Sequence, residues 1–437
     1  MPAALLLPLL LAQAVSAVPP DTTHPAAARV LSLREALDTA VARQPLMHQA
    51  RASTNVSKAR VEQARAGYLP QVTGTATYQR RTGNFAPTPG VANAGGGTSS
   101  ATYDSFNFAL NATQLIYDFG QTNGRWHAAD VTVEASRENE RSVLNQTQLN
   151  VKKAYFSARA NKALVKVAEE TLTNQGRHVQ QIQAFVQVGT RPEIDLVQAR
   201  TDFANSRVLL INSQNNYEVA KAGLNQAMGI VGNTEFEVAD DDAGALQDEG
   251  QPLDTLVKKA VAQRPELVNL AKQRSAQEIT VRSAKGGYGP SLGATAGANA
   301  GGTELGSLVP NWSIGATLTW PILSGWQTHG IVHEAEANLG GIDAQVETEQ
   351  LQVGFDVQQA WLSVKAMKET IDAAREALTN AREQLRLAEG RYQAGTGSVI
   401  ELGDAQVAAT NAAAQVVQAD YNLATARAQL LAAMGRS

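Results

Sequence analysis

Four stretches of the chain alternate apolar and polar side chains with a period of two, and almost everything else repeats with the period of a helix. In "YLPQVTGTATYQR", Tyr68, Pro70, Val72, Gly74, Ala76 and Tyr78 alternate with Leu69, Gln71, Thr73, Thr75, Thr77 and Gln79. In "SFNFALNATQLIY", Phe106, Phe108, Leu110, Ala112 and Ile116 alternate with Ser105, Asn107, Asn111 and Thr113. Tyr288, Leu292, Ala294 and Ala296 continue the theme, as do Trp312, Ile314, Ala316, Leu318 and Trp320. The pattern predicts strands over 68–80, 105–118, 288–300 and 311–323, each with one apolar and one polar face. They exceed the usual length of about five or six residues. They suit a tilted membrane strand of ~9–11 residues with overhang, and Tyr68, Tyr78, Trp312 and Trp320 near their ends suit interfacial belts. An ordinary hairpin pair covering a helix accounts for the alternation equally well.

Residues 121–188 and 325–393 contain no proline and are rich in Ala, Gln, Glu, Arg and Leu. Each predicts one helix, ~100 Å long at 1.5 Å per residue. A Gly-Thr turn ends each, and a return helix follows over 193–229 or 398–434. Shorter helices over 33–66 and 254–285 lead into the strand pairs. A short helix and a return helix together match one long helix, so stacking them end to end gives a helical cylinder beneath a strand cap.

The chain also repeats itself, which fixes its organisation. "EALDTAVARQP" (35–45) matches "TLVKKAVAQRP" (255–265) at an offset of 220, and "ARAGYLP" (64–70) matches "AKGGYGP" (284–290) at the same offset. Further on, Tyr155 falls on Trp361, Gly189-Thr190 on Gly395-Thr396 and Met228-Gly229 on Met434-Gly435, all at 206. The second copy therefore lacks 14 residues of the loop 81–104, whose Gly/Pro/Ser content predicts low local order. The domains read as a first repeat (18–229), an acidic connection (230–253) with a short strand at "TEFEV", and a second repeat (254–437).

Composition narrows the classes. Hydrophobic residues make up 43% of the 437, but only 5% are aromatic, a balance favouring long helices with small-residue seams. The net charge of −4 gives no basic footprint for nucleic acid. Cysteine is absent, which excludes disulfides, thiolate chemistry and a lipidated N-terminal Cys. Residues 1–17, "MPAALLLPLLLAQAVSA", read as a signal peptide with small residues at Val15 and Ala17. Pro2, Pro8 and "VPPDTTHP" argue against a buried helix there. No other apolar run reaches the ~20 residues of a membrane helix. Four strands cannot close a membrane barrel, whose smallest forms have about eight, and an open edge in lipid leaves backbone groups unsatisfied. Strands in a membrane would thus be shared between chains, two or three of them.

With "LSLREALDTAVARQP" at the mature start and "QVGTRPEIDLVQAR" beside "YQAGTGSVIELGDAQ", the chain resembles the TolC family of outer-membrane efflux channels over essentially its whole mature length. The resemblance implies a mainly α fold with β: a trimeric twelve-stranded β-barrel in the outer membrane, continued by a periplasmic α-helical barrel that tapers to a gate. It implies a homotrimer docked on a periplasmic adaptor and an inner-membrane pump that expels drugs, metals or proteins, with no cofactor. The matching positions place an acidic ring at Glu401 and Asp404 and a gate latch at Asp195 and Tyr392. The turns Gly189, Thr190, Arg191 and Gly395, Thr396, Gly397 fall at the adaptor-docking tip. The basic partner expected after the second Gly-Thr is missing, because that position is Gly397 while the first copy has Arg191.

Each candidate has a plainer account. Ser398 with Glu401, and Thr190 with Glu193, have capping-box spacing, and an acid in a first helical turn is favoured by the dipole in any case. His329 and His333 stand four apart, a metal-compatible spacing, but the sequence is not H-E-x-x-H and a solvated helix face explains them. Glycines at 286, 287, 289 and 293 lack the Lys/Ser sequel of a phosphate loop, and no Ser/His/Asp arrangement stands out, so the chain does not read as an enzyme. An export conduit explains strands, repeat and helix lengths together. An exported coiled-coil stalk or filament explains the helices alone and would favour stricter heptads.

Overall fold

The computed structural model describes residues 29–82, 102–232, 234–241, 244, 246 and 249–436. Residues 1–17, expected to be a signal peptide, and most of the loop 81–104 lie outside the described residues. Strands β2 (Gln71–Thr82), β3 (Thr102–Tyr117), β5 (Ser291–Gly302) and β6 (Val309–Thr319) form one antiparallel sheet in the order β2-β3-β5-β6. Its register places Val72, Ala112, Ala296 and Ile314 in one row, and Ala76, Phe108, Ala300 and Pro310 in another. The intervening rows hold Thr73, Asn111, Gly297 and Ser313, then Thr75, Ala109, Asn299 and Asn311. Because neighbouring side chains on a strand point to opposite faces, the four alternations combine into one apolar and one polar face. Among the described residues the sheet covers no helix: Trp312 is 80% and Ile314 78% exposed. Both edges, β2 and β6, lack a strand partner among the described residues.

The strand ends differ from the sequence pattern for backbone reasons. Tyr68 and Leu69 N–H groups still bond to Arg65 and Ala66 carbonyls, and Pro70 has no N–H to give a ladder, so β2 starts at Gln71 instead of residue 68. Tyr288 likewise belongs to a 3₁₀ turn (Gly286–Tyr288) before Pro290. Pro321 stops β6 at Thr319, and Trp320 turns back to donate its indole N–H to the Tyr288 carbonyl (3.1 Å). In β3 a bulge moves the register between Leu115 and Tyr117, so Tyr117, and not Ile116, pairs with Leu292.

The long helices are α3 (Gln121–Gln187) and α7 (Gln327–Gln393), each of 67 residues. Asp118 caps α3, its Oδ2 accepting from the Thr122 N–H (2.8 Å) and hydroxyl (2.6 Å). The helices expected as single pieces over 33–66 and 254–285 are each broken in two: α1 (Leu33–Arg43) and α2 (Pro45–Ala66), then α5 (Leu253–Gln263) and α6 (Pro265–Lys285). Gln44 and Arg264 are extended there, at ψ 122° and 124°, as the residue before proline favours.

Those breaks receive the ends of the return helices α4 (Glu193–Met228) and α8 (Val399–Ala433). Gln44 Nε2 donates to the carbonyls of Gln226 (3.3 Å) and Ala227 (2.9 Å). A Cβ on Gly229 would lie 2.8 Å from Gln44 Cα, and one on Gly435 3.0 Å from Arg264 Cα. In both copies the end of the return helix thus meets the break in the short helix.

Two cores form where short and return helices meet, and the first also takes in Ala424 and Ala428 of α8. Ala36, Ala40, Val151, Tyr155, Leu224 and Met228 pack in the first, and Leu256, Ala260, Val353, Val357, Leu430 and Met434 in the second. Each large apolar side chain buried there contributes about 1.5–3 kcal/mol. The short strand expected in "TEFEV" is β4 (Phe236–Val238), and its parallel partner β1 (Arg29–Leu31) was too short to show in the pattern. The Tyr155 hydroxyl sits within reach of the Ala239 carbonyl (3.0 Å) and Asp241 Oδ2 (3.1 Å). Burial, then the Asp241 charge, pushes its phenol well above the usual range.

Candidate functional site at the helix tips

Both long helices end in the same turn. Gly189 and Gly395 take φ of 77° and 78°, the left-handed conformation that glycine adopts at least cost. The next residue folds back, Thr190 N–H to Phe185 O and Thr396 N–H to Arg391 O, both at 3.0 Å, which satisfies carbonyls the helix leaves open. The two return helices then start differently. Ser398 Oγ accepts from the Glu401 N–H (3.1 Å), the cap expected of it. Thr190 makes no capping box: Pro192 is the N-cap residue of α4, and the Thr190 hydroxyl donates to Phe185 O (2.9 Å) instead.

Just above the turns the two copies are tied together. Tyr392, at the end of α7, is buried and donates its hydroxyl to Oδ2 of the buried Asp195 (3.3 Å) on α4. Burial, then the Asp195 charge, raises the Tyr392 phenol above its ordinary value. Arg191 lies with its guanidinium 4.3 Å from the Tyr392 ring centroid, a cation–π contact. Its Nη2 donates to the carbonyls of Tyr392 (2.9 Å) and Gly397 (3.2 Å). Ile182, Leu196, Ala199, Ala388, Leu402 and Ala405 form the apolar cluster beneath.

Gly397 carries no side chain for a steric reason. A Cβ there would lie 2.9 Å from Tyr392 N and 3.1 Å from Arg391 C. The cation that the second turn has no room for is supplied by the first: Arg191 and Gly397 are counterparts at the offset of 206, and they touch. In the sequence Arg191 stands out as a docking-turn residue and as the first copy's counterpart of Gly397. The alignment of Arg191 with the vacant Gly397 was the available signal for its second engagement.

Glu401 and Asp404 are not brought together. Glu401 Oε1 lies 3.3 Å from Arg391 Nη1 on α7. Asp404 lines a groove of about 670 Å³ between α4 and α8, with Ile194, Asp202, Leu209, Ile400 and Val407 on its walls. Its floor includes Gln175 and Gln406, a buried amide pair (2.7 Å) joining α3 to α8, and beside it His178 on α3 approaches Glu389 on α7 (3.4 Å). None of these three links has a periodic signature in the sequence. Among the described residues no group of three or more His, Asp or Glu is arranged to hold a metal, and no helix is long and apolar enough to cross a membrane.

The profile of the outer membrane efflux protein family matches residues 36–230 and 256–436, one segment per repeat. The chain is 24% identical over 394 residues to outer membrane efflux protein BepC of Brucella suis, covering 89% of this chain and 82% of that protein. It is 23% identical over 411 residues to outer membrane protein TolC of Escherichia coli, covering 90% and 79%. The solved CmeC outer membrane channel of Campylobacter jejuni superposes with a TM-score of 0.77 at 19% identity, over 92% of this chain and 85% of that one. Outer membrane protein VceC of Vibrio cholerae superposes at 0.75 and 16%, over 93% and 96%. All four are named for the outer membrane, which sets aside the exported stalk. Two family segments, matching two copies of one strand-and-helix unit, leave a single conclusion: the chain belongs to the outer membrane efflux protein family.

Proposed function

We propose that three copies of this chain close into one twelve-stranded barrel and one helical tube, forming the passive exit duct of a tripartite efflux or type I secretion assembly. The carrying observation is the four-stranded sheet with an apolar face and two unpartnered edges. In lipid each unpaired backbone group costs several kcal/mol, so the edges must meet those of other copies, and three copies exceed the minimum of about eight strands. The turns at Gly189–Arg191 and Gly395–Gly397 present the tube's far end to a periplasmic adaptor, which links it to an inner-membrane pump. Relatives are named for cation efflux (CusC of Escherichia coli) and antibiotic efflux (ArpC of Pseudomonas putida). Such different cargoes on one fold support a duct that leaves selection to the pump.

The tie between the copies serves in this reading as the resting latch of the duct. Arg191, Tyr392 and Asp195 hold the end of α7 to the start of α4. Charge-assisted hydrogen bonds to carbonyls are the strong ones, and losing one costs about 1.5–3 kcal/mol. Native mass spectrometry of outer-membrane extracts is expected to give a trimer, and a monomer or dimer would overturn the assembly. In planar bilayers Arg191→Ala is expected to raise single-channel conductance with the trimer intact. Conductance equal to wild type would remove Arg191 from the latch.

A further inference from the structure

The two copies differ at one place where the difference is chemical. At the offset of 206, His333 corresponds to His127, but His329 corresponds to Asn123. Only the second copy therefore carries two imidazoles one turn apart on its long helix. On α7 the His329 and His333 ring centroids are 4.2 Å apart, with the ring planes at 78°. The Trp326 ring stands 5.5 Å from that of His329, on the side toward the sheet. Glu336 Oε2 lies 3.9 Å from His333 Nδ1, and Lys285 of α6 holds the other Glu336 oxygen at 2.9 Å. His333 is 63% exposed, so the pair is open to solvent.

We infer that His329 and His333 form a two-point site for a borderline divalent transition-metal ion, Cu²⁺ above all. Residues four apart on a helix project from one face, and a rigid helix holds the two imidazoles in place before the ion arrives. Two neutral ring nitrogens without thiolate select copper, nickel and zinc over magnesium and calcium, with copper(II) bound tightest. Glu336, 3.9 Å from His333 Nδ1 and too far for a hydrogen bond, adds a nearby negative charge that favours a cation at the pair. The remaining coordination positions are left to water or to a small ligand arriving with the metal. The pair begins at the third residue of α7 and ends at His333, some 9 Å below the helix's first residue at 1.5 Å per residue, far from the tip latch. The site is therefore independent of the duct reading.

The test is titration of the purified, tag-free full-length protein with CuCl₂, followed by calorimetry and by electron paramagnetic resonance. One Cu²⁺ per chain with nitrogen hyperfine structure is expected. His329→Ala and His333→Ala should each weaken binding by at least about tenfold, with Ni²⁺ and Zn²⁺ following more weakly than Cu²⁺. His127→Ala, an exposed histidine without a partner a turn away, should leave binding as in wild type. Glu336→Gln should weaken it less than loss of either histidine. Binding that survives in the His329→Ala/His333→Ala double variant, or that falls equally in His127→Ala, would overturn the site. Both histidines lie on an exposed helix face, and an unchanged helical circular dichroism spectrum confirms that each variant is folded.

Discussion

Glu401 and Asp404 are three residues apart on one helix, yet their surroundings give them different electrostatic weight. Glu401 faces the Arg391 guanidinium at 3.3 Å, so much of its field is cancelled locally. Asp404 is exposed on the groove between α4 and α8, with no ion pair among the described residues to offset it. If the tip rings a pore, Asp404→Asn should reduce cation preference more than Glu401→Gln. Reversal potentials in planar bilayers at low salt measure this, because screening over ~8 Å blurs it at physiological ionic strength. Equal effects of the two substitutions would show that Arg391 does not partner Glu401 in the assembled channel. A double variant with unchanged reversal potential would reduce both acids to the helix-start role that Ser398 and the dipole already explain.

For the strand pairs, register turns a weak pattern into an assignment. Phe108 stands in a row with Ala76 and Ala300, and Asn107 in the adjacent row with Thr77 and Gly301. In an outer-membrane channel the apolar face meets lipid. Phe108→Lys should cost ~2–4 kcal/mol if the residue sits near the bilayer midplane, whereas Asn107→Lys should be mild. The heat-modifiable oligomer in outer membranes reports both, and equal tolerance would reject the facing. The period of two was legible from the residues. The bulge at Ile116 was not, because a bulge changes which residues pair without changing the composition on either side of it.

Across the whole molecule, the segment between the copies is held by cations at equivalent positions. Lys162 and Lys221 donate to the Val238 (2.7 Å) and Thr234 (3.2 Å) carbonyls. Their counterparts at the offset of 206, Lys368 and Arg427, both engage Glu249, whose side chain is almost fully buried. Burial alone would raise the Glu249 carboxyl, but the hydrogen bonds from Lys368, the Leu246 N–H and Arg427 outweigh it and hold it below its ordinary value. A depressed carboxylate contributes stability that is present above the unfolded value and lost as pH falls through the folded one. Tyr155 and Tyr217 work at the other limit, both phenols raised first by burial. Their contribution is complete below the ordinary tyrosine value of about 10 and is lost as pH rises through the folded values. Thermal melts across pH should therefore narrow at the acid end in Glu249→Gln, which at neutral pH costs about 2 kcal/mol through weakened hydrogen bonds to charged groups. Tyr155→Phe should flatten the loss above pH 10, and a wild-type alkaline limb retained in that variant would assign the titration elsewhere.

Much of this architecture was decided locally and could be read locally. Helix period, proline-free length, paired alternation and a repeat at fixed offsets are properties of neighbouring residues, so they placed the four strands, both long helices, the return helices and the Gly-Thr turns. Pro45 and Pro265 were equally visible, but whether a proline kinks a helix or ends it depends on what packs at the break. Here Gly229 and Gly435 arrive at those breaks. Pairing between distant segments has no periodic trace at all. Arg191 reaching across 206 residues to Gly397, Glu401 turning to Arg391, Glu249 clamped between α7 and α8, and β1 finding β4 each rest on one or two side chains or a three-residue strand. Their energies come from contacts that exist only once the long helices have set the distances, so the tertiary structure alone decided them.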